Sequence, residues 1–221
     1  SNTHLVEIAF NGTKLTQVSH TNFLGIIIDN RLSWKIHFTS TCKKISRCIG
    51  ILGKVSNALS QNILLLLYNA IVLPHLHYGI LLWGSTSKSH IDQLFILQKK
   101  ALKIVFKLPK LTPTVFLFQS KRILTIYQLH DLYCGIFMFK FQNSLLPTCF
   151  RNYFTQNVTI HDHQTRNTSD YHIPLFHTSK NQQSIKYVGT KIWLKIPAPM
   201  KELLFISTFK FHFKKYLLNS F

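Results

Sequence analysis

The hydrophobic residues of this chain change their spacing near residue 34. Before that point, short apolar stretches flank Asn11-Gly12, a dipeptide typical of a two-residue hairpin turn. Residues 23–28 (Phe-Leu-Gly-Ile-Ile-Ile) are apolar and lie between polar residues, which predicts a buried strand. Residues 1–34 are therefore expected to form a small β edge. Because so short an edge lacks most strands of a sheet, we expect the chain to be truncated before Ser1.

After Trp34 the apolar residues recur every three or four positions, which predicts amphipathic helices. Two of these helices are separated by residues 55–87, which contain no charged side chain. This stretch is expected to form two core helices that meet at Pro74, with Ser60 as the N-cap of the first. The apolar stripes of the two amphipathic helices are Phe38, Cys42, Ile45, Ile49 and Leu52, and Ile91, Leu94, Phe95, Leu102 and Val105.

The second half of the chain also predicts helices, over residues 123–141 and 208–218, and Pro147 is expected to open a short one. Residues 155–183 are polar and aperiodic, which predicts an irregular surface connection. The glycine and β-branched residues of 184–193 favour one or two short strands. The expected fold is mostly α (α+β), with a small N-terminal β-hairpin edge, a helical bundle and a mixed helical C-terminal region.

The charge of the chain points to a polyanionic partner. Lysine and arginine number 26 against 7 acidic residues, which gives a net charge of +19 on a chain that is 46% hydrophobic. Solubility alone needs only roughly 2–8 charges in a small domain, whereas a larger excess attracts nucleic acid or an acidic membrane surface. The acidic residues are scattered, without the paired carboxylates that would hold Mg²⁺ for phosphoryl chemistry. The composition therefore predicts binding of nucleic acid without catalysis.

Two predicted helical faces carry positive charge only, whereas an ordinary solvated face carries both signs. We expect at least one of them to contact phosphates. Their residues are Lys35, Lys43, Lys44, Arg47 and Lys54 on the first helix, and Lys99, Lys100, Lys103 and Lys107 on the second. The neighbouring aromatic residues Phe106, Tyr153 and Tyr216 are candidates to stack on single-stranded bases, with packing in the core as the favoured alternative.

A membrane-associated protein, in which residues 63–83 insert, is an alternative because residues 55–87 contain no charged side chain. Asn69, Pro74, His75 and His77 lie in the middle of that stretch and would be costly in a bilayer, so soluble core helices are favoured.

Metal and disulfide chemistry are not indicated. The loose spacing of His161, His163, His172 and His177 favours solvated or locally hydrogen-bonded histidines, so no metal site is expected. The four cysteines, which could also bind zinc or form disulfides, lack the spacing of a zinc site. Cys42, Cys48, Cys134 and Cys149 are expected to be buried, reduced thiols of an intracellular protein.

Several stretches, taken in order, resemble the C-terminal part of the reverse transcriptase of LINE-type (non-LTR) retrotransposons, the jockey-like branch especially. They cover nearly all of the chain, and their order makes the resemblance specific. The stretches are 23–29 (FLGIIID), 32–37 (LSWKIH), 67–68 (LY), 74–79 (PHLHYG), 82–84 (LWG), 97–103 (LQKKALK), 165–167 (TRN), 187–193 (YVGTKIW) and 209–218.

The resemblance implies that residues 1–34 end a polymerase palm, that residues 35–110 form a helical thumb-like region, and that residues 111–221 form a C-terminal helical region. Phe23, Leu24 and Gly25 then correspond to a primer-grip hairpin. The family's Tyr/Phe-x-Asp-Asp loop, which holds the catalytic metals, precedes the Phe-Leu-Gly strand and does not occur in this sequence. The fragment alone is therefore expected to be inactive and to hold no cofactor, with Mg²⁺ bound in the intact polymerase.

The implied partners are RNA, an RNA–DNA hybrid, and the upstream palm and fingers of the same polyprotein, with no membrane. The implied location is the nucleus or the cytoplasm, in a ribonucleoprotein. A stand-alone basic nucleic-acid-binding module is the alternative function.

Overall fold

The structure, a computed structural model, describes residues 8–159 and 170–220. These residues are mostly helical and begin with two small antiparallel hairpins, which confirms the predicted fold class. The strands are β1 (Ile8–Phe10), β2 (Thr13–Leu15), β3 (His20–Phe23) and β4 (Ile26–Asp29). Strand β1 pairs with β2, and β3 pairs with β4.

The helices follow the hairpins and pack around one continuous apolar core that extends from Phe38 to Leu218. They are α1 (Lys35–Val55), α2 (Gln61–Leu67), α3 (Leu73–His77), α4 (Ile80–Trp83), α5 (Lys88–Val105), α6 (Val115–Ser120), α7 (Ile126–Gln142), α8 (Ser179–Gln182), α9 (Ile185–Lys195), α10 (Ala198–Lys201) and α11 (Ile206–Asn219). Short 3₁₀ turns occupy Thr148–Phe150 and Asn157–Thr159.

Helices α1 and α5 pack against each other through the apolar stripes that the sequence predicts. Phe38, Ile45 and Leu52 of α1 are buried, as are Leu94 and Leu102 of α5. Every buried position lies on one side of each helix. The lysines of the opposite side therefore remain in solvent or at the edge of the contact between the two helices.

The chain passes Pro74 without a break in the helical run. A π-helical turn, Tyr68–Val72, joins α2 to α3, and the Leu73 N–H donates to the carbonyl of Tyr68 across it. Proline lacks an N–H and crowds the carbonyl of the preceding turn, so a widened turn before it relieves the clash. Within the described ranges, no helix combines the length and the apolarity needed to cross a membrane.

Helix α7 is the centre of the second half of the molecule and contacts α5, α9 and α11. Its close approach to α11 depends on Gly135, because a Cβ there would collide with the ring of Phe213. The ring of Phe139 stacks on that of Phe209 with centroids 4.5 Å apart.

The prediction of strands over 184–193 is wrong, because this segment forms α9. Ile185, Gly189 and Trp193 recur every four residues, and this helical period places Gly189 and Trp193 in the core against α7. The β-branched residues have only a weak intrinsic preference for a strand, and the packing of the helix against the core overrides it.

Three smaller expectations also differ from the structure. Helix α7 begins at Ile126 rather than at residue 123, because Thr125 and Gln128 form a capping box. The segment after Pro147 forms only a 3₁₀ turn. Cys149 is exposed, although the other cysteines are buried or half-buried, and all four are free thiols.

The side chain of Gln98, fully buried in α5, joins three separate parts of the chain. Its Nε2 donates to the Tyr68 hydroxyl at 3.2 Å and to the Leu124 carbonyl at 2.9 Å. Its Oε1 accepts from the Ile126 N–H at 3.0 Å. These bonds attach the π-helical turn and the start of α7 to the middle of α5.

Replacement of Gln98 by leucine should lower the free energy of unfolding by about 3 kcal/mol, because it leaves three buried polar groups without their partner. Urea denaturation measures this loss. Gln93→Leu, at an exposed position of the same helix, is the control and should change stability by less than about 0.5 kcal/mol. Equal stability of the two variants would contradict the structural role of Gln98.

Candidate nucleic-acid interface

Three of the four lysines predicted on the second basic face, Lys99, Lys100 and Lys103, line a groove of about 800 Å³, together with Lys110 from the following loop. We call it the α5 groove. None of its lining residues is acidic, so its four ammonium groups are not neutralised from within. Its residues are Lys99, Lys100, Lys103 and Lys110, with Ile49, Ile96, Ile104, Leu108, Thr112, Pro113, Thr114 and Val115.

Local contacts fix two of these lysines. The Nζ of Lys103 donates a hydrogen bond to the carbonyl of Lys110, which ties the loop to the helix. The Nζ of Lys99 lies 4.6 Å from the centroid of the Phe95 ring, a cation–π contact within its own helix. The groove therefore presents positive charge from a partly ordered set of side chains.

Lys107 ends α5 in a left-handed conformation, with φ 51°. The Lys107 N–H donates to the Ile104 carbonyl and the Leu108 N–H donates to the Lys103 carbonyl, which is the bonding of a Schellman motif. Glycine is the usual residue at this position, because a side chain there costs about 1 kcal/mol or more. Lys107 is exposed beside the α5 groove but does not line it.

The predicted basic face of α1 is separate from this groove. Its residues Lys35, Lys43, Lys44, Arg47 and Lys54 are all exposed, and none of them lines the α5 groove. The structure therefore does not bring the two predicted basic faces into one cleft.

Of the three residues expected to correspond to a primer grip, Phe23 is the exposed last residue of β3, and Leu24 and Gly25 form the exposed turn between β3 and β4. Leu24 and Gly25 both have positive φ, 48° and 82°. Such a turn twists in the sense that a hairpin requires, but leucine is disfavoured in it. The hydroxyl of Tyr78 donates to the Leu24 carbonyl at 2.6 Å and so holds the strained residue.

Two further contacts attach this hairpin to the helices. The Ile27 N–H donates to Nδ1 of His37 at 3.3 Å. Burial, with a smaller effect of Lys44, lowers the pKa of His37, so its ring is neutral at pH 7 and able to accept. Gly79 also contacts the hairpin, because any Cβ there would collide with Ile26.

The carboxylate of Asp29 shapes the turn from β4 into α1. It accepts hydrogen bonds from the N–H groups of Arg31, Ser33 and Trp34, at 3.1, 3.0 and 2.8 Å. Although burial acts to raise it, these backbone donors hold the pKa of Asp29 below its ordinary value. Asp29 therefore has a structural task that occupies both of its oxygens.

Other carboxylates of the described residues have structural contacts as well. Asp92 accepts from the Tyr127 hydroxyl, and burial together with this contact raises the pKa of Tyr127 to about 12. Asp170 lies 3.9 Å from Nζ of Lys201. In ranges 8–159 and 170–220, no three histidine, cysteine or acidic residues are grouped to hold a metal. His161 and His163 lie outside these ranges, as does the stretch 165–167.

The aromatic residues proposed to stack on bases pack against the core instead. Phe106, Tyr153 and Tyr216 are all half-buried and contact the apolar cluster. Tyr153 also meets the ring of Phe154, with centroids 5.1 Å apart. The alternative of core packing is therefore confirmed for these residues.

Comparison with known proteins identifies distant relatives over part of the chain. A stretch of 106 residues is 28% identical to the RNA-directed DNA polymerase from mobile element jockey of Drosophila funebris, and equally to that of Drosophila melanogaster. A stretch of 105 residues is 30% identical to the probable RNA-directed DNA polymerase from transposon BS of Drosophila melanogaster. Each match covers 46% of this chain.

The chain spans only 12% of the length of these relatives in each match. No family model matches the chain. No solved structure matches it significantly. The comparisons therefore support the resemblance to jockey-like polymerases as a distant and partial similarity.

Replacement of Tyr78 by phenylalanine should loosen the β3–β4 turn, because it removes the hydroxyl that holds the Leu24 carbonyl. The loss of one hydrogen bond, worth about 1 kcal/mol, should make amide exchange at Gly25 and Ile26 about fivefold faster. Hydrogen–deuterium exchange measures the effect. Tyr216→Phe, which removes a hydroxyl far along the chain, is the control; identical exchange in the two variants would contradict the role of Tyr78.

Proposed function

We propose that this chain is the thumb and C-terminal region of a non-LTR retrotransposon reverse transcriptase, and that it binds the RNA–DNA template–primer. The α5 groove is the observation that carries the proposal. It places four lysines around an apolar floor without a neutralising carboxylate, and phosphates are the anions that such a surface suits. The similarity to RNA-directed DNA polymerases supports the choice of an RNA–DNA hybrid as the polyanion.

In this proposal, residues 1–34 belong to the end of the palm, residues 35–110 to the thumb and residues 111–221 to a C-terminal region. The end of the β3–β4 hairpin, formed by Phe23, Leu24 and Gly25, contacts the primer. Its support is the combination of exposure with a strained Leu24 that Tyr78 holds in place, since strain of this kind is often retained where a segment must present itself to a ligand.

The exposed face of α1 is a second candidate surface for phosphates. Lys43, Arg47 and Lys54 share the side of the helix opposite its buried stripe, so they are free to meet a strand that runs along the helix. A face on a convex helix holds a duplex less firmly than a groove, and we therefore assign the larger share of binding to the α5 groove.

Catalysis is assigned to the intact enzyme and not to this chain. The carboxylates of the described residues are scattered, and Asp29 and Asp92 are occupied by hydrogen bonds. We therefore expect the chain alone to bind an RNA–DNA hybrid without polymerising nucleotides. A stand-alone nucleic-acid-binding module remains the second candidate, because the same groove would serve it equally.

Replacement of Lys99, Lys100 and Lys103 by glutamine should weaken binding to a blunt RNA–DNA hybrid by about tenfold at 100 mM salt, because each lysine neutralises about one phosphate. The slope of log affinity against log salt should flatten by up to about 3. Fluorescence anisotropy over a salt series measures both quantities.

The control for this variant removes the same charge elsewhere. Lys180, Lys191 and Lys195 are exposed on α8 and α9 and line neither the α5 groove nor its loop. Their replacement by glutamine should reduce affinity by less than about threefold, through net charge alone. Equal losses in the two triple variants would mean that the α5 groove is not the binding surface.

A further inference from the structure

A second cationic groove lies where α11 meets the turn after α6, and we call it the α11 groove. It has a volume of about 270 Å³, and no acidic residue is among its lining residues. Lys210 and Lys214 are one helical turn apart on α11, opposite Lys121 and Arg122. Its other lining residues are Leu65, Tyr68, Asn69, Leu73, Ile123, Leu124, Leu129 and Leu132.

The walls of the α11 groove are fixed by hydrogen bonds. Gln98 holds the Leu124 carbonyl, which positions the turn that carries Lys121 and Arg122. The Nε2 of Gln128 in α7 donates to the Leu217 carbonyl of α11 at 2.6 Å. Because both walls are attached to the same core, the backbone segments that carry the four cations keep their mutual arrangement.

Arg122 occupies a position that glycine would fill at lower cost. It ends α6 in a left-handed conformation, with φ 53°, and its N–H donates to the Gln119 carbonyl at 3.1 Å. The Ile123 N–H donates to the Phe118 carbonyl at 3.0 Å, which completes a Schellman motif. The end of α5 has the same arrangement with Lys107 and the end of α7 has it with Ser144, so two of these three strained helix ends carry a cation.

Helix α6 connects the two grooves. Its first residue, Val115, lines the α5 groove, and Lys121 directly after its last residue lines the α11 groove. Six residues of helix span only about 9 Å. Phe116, the second residue of this helix, has 75% of its surface exposed and lies along the chain between Val115 and Lys121.

We propose that one strand of nucleic acid crosses from the α5 groove over Phe116 into the α11 groove. The inference rests on the proposed function and adds a single-stranded segment to the substrate. Cations at the rims suit phosphates, whereas the leucine floor and the exposed ring of Phe116 suit base faces. Base faces are free only in an unpaired strand, so the α11 groove selects single-stranded RNA or DNA over a duplex.

The test compares binding of three probes by the full chain: a 20-nucleotide oligouridylate, a blunt RNA–DNA hybrid, and that hybrid with a single-stranded RNA overhang. Lys210→Gln/Lys214→Gln should bind the oligouridylate and the overhang hybrid about tenfold more weakly, and the blunt hybrid less than about threefold more weakly, through net charge alone. Phe116→Ala should lose about fivefold or more on the same two probes. An oligodeoxythymidylate arm shows whether RNA or DNA is preferred.

The matched control for charge is Lys180→Gln/Lys195→Gln. The control for aromatic surface is Phe205→Ala, because Phe205 is 69% exposed and directly precedes α11. Losses no larger than those of the controls would overturn the inference. The inference would also be overturned if polyglutamate displaced a bound probe that oligouridylate fails to displace. The α11 groove would then be a site that docks an acidic protein.

The variant Arg122→Gly separates the effect of the lost charge on binding from any loss of folding stability. Glycine relieves the left-handed strain, so Tm should rise by about 2–4 °C while affinity for the oligouridylate falls. A rise in Tm with unchanged affinity would overturn the inference.

The outcomes also separate this inference from the proposed function. Absence of binding to all three probes by the unaltered chain would contradict the proposed function itself. Weakening of hybrid binding by the Lys99, Lys100 and Lys103 replacements, with no effect of the α11-groove variants, would reject the single-strand path alone.

Discussion

The buried hydrogen bonds of Gln98 hold together the parts of this molecule from which its candidate surfaces are built. Tyr68 belongs to the π-helical turn before Pro74, Leu124 to the turn after α6, and Ile126 to the first turn of α7. One neutral side chain thus satisfies polar groups that would otherwise be buried without partners. On the outside of the same helix, Lys99 and Lys100 follow Gln98 directly and face the α5 groove.

The chain has few carboxylates that could neutralise its surface lysines. Asp29 is used to shape the turn into α1, and Asp92 is used to hold Tyr127. Few acidic groups are left to pair with the lysines, so the positive charge of the grooves acts on whatever lies outside the protein. A polyanion gains by releasing its counterions on such a surface, and the gain needs no particular base sequence.

The sequence predicted the helices whose burial follows a regular period. The apolar stripes of α1 and α5 are buried or half-buried as expected, because the core contacts one side of each helix. It failed at 184–193, where β-branched residues favoured a strand and the four-residue spacing of Ile185, Gly189 and Trp193 was the better signal.

The surfaces themselves could be predicted only in part. Lys99, Lys100 and Lys103 are neighbours along one helix, so their common face was visible from their spacing. Lys110 joins them only because the chain reverses after α5, and Lys121 meets Lys214 only through the packing of α11 on α7. Contacts between distant segments depend on tertiary structure, which local spacing does not encode.

The salt dependence of binding to an RNA–DNA hybrid tests the proposed nucleic-acid binding most directly, because its slope counts the phosphates that are neutralised on binding. If about five are neutralised, the affinity of the unaltered chain should fall several-hundred-fold between 50 and 200 mM salt. An affinity that stays constant over this range, or no binding at 50 mM salt, would contradict the claim that this fold is a nucleic-acid-binding region.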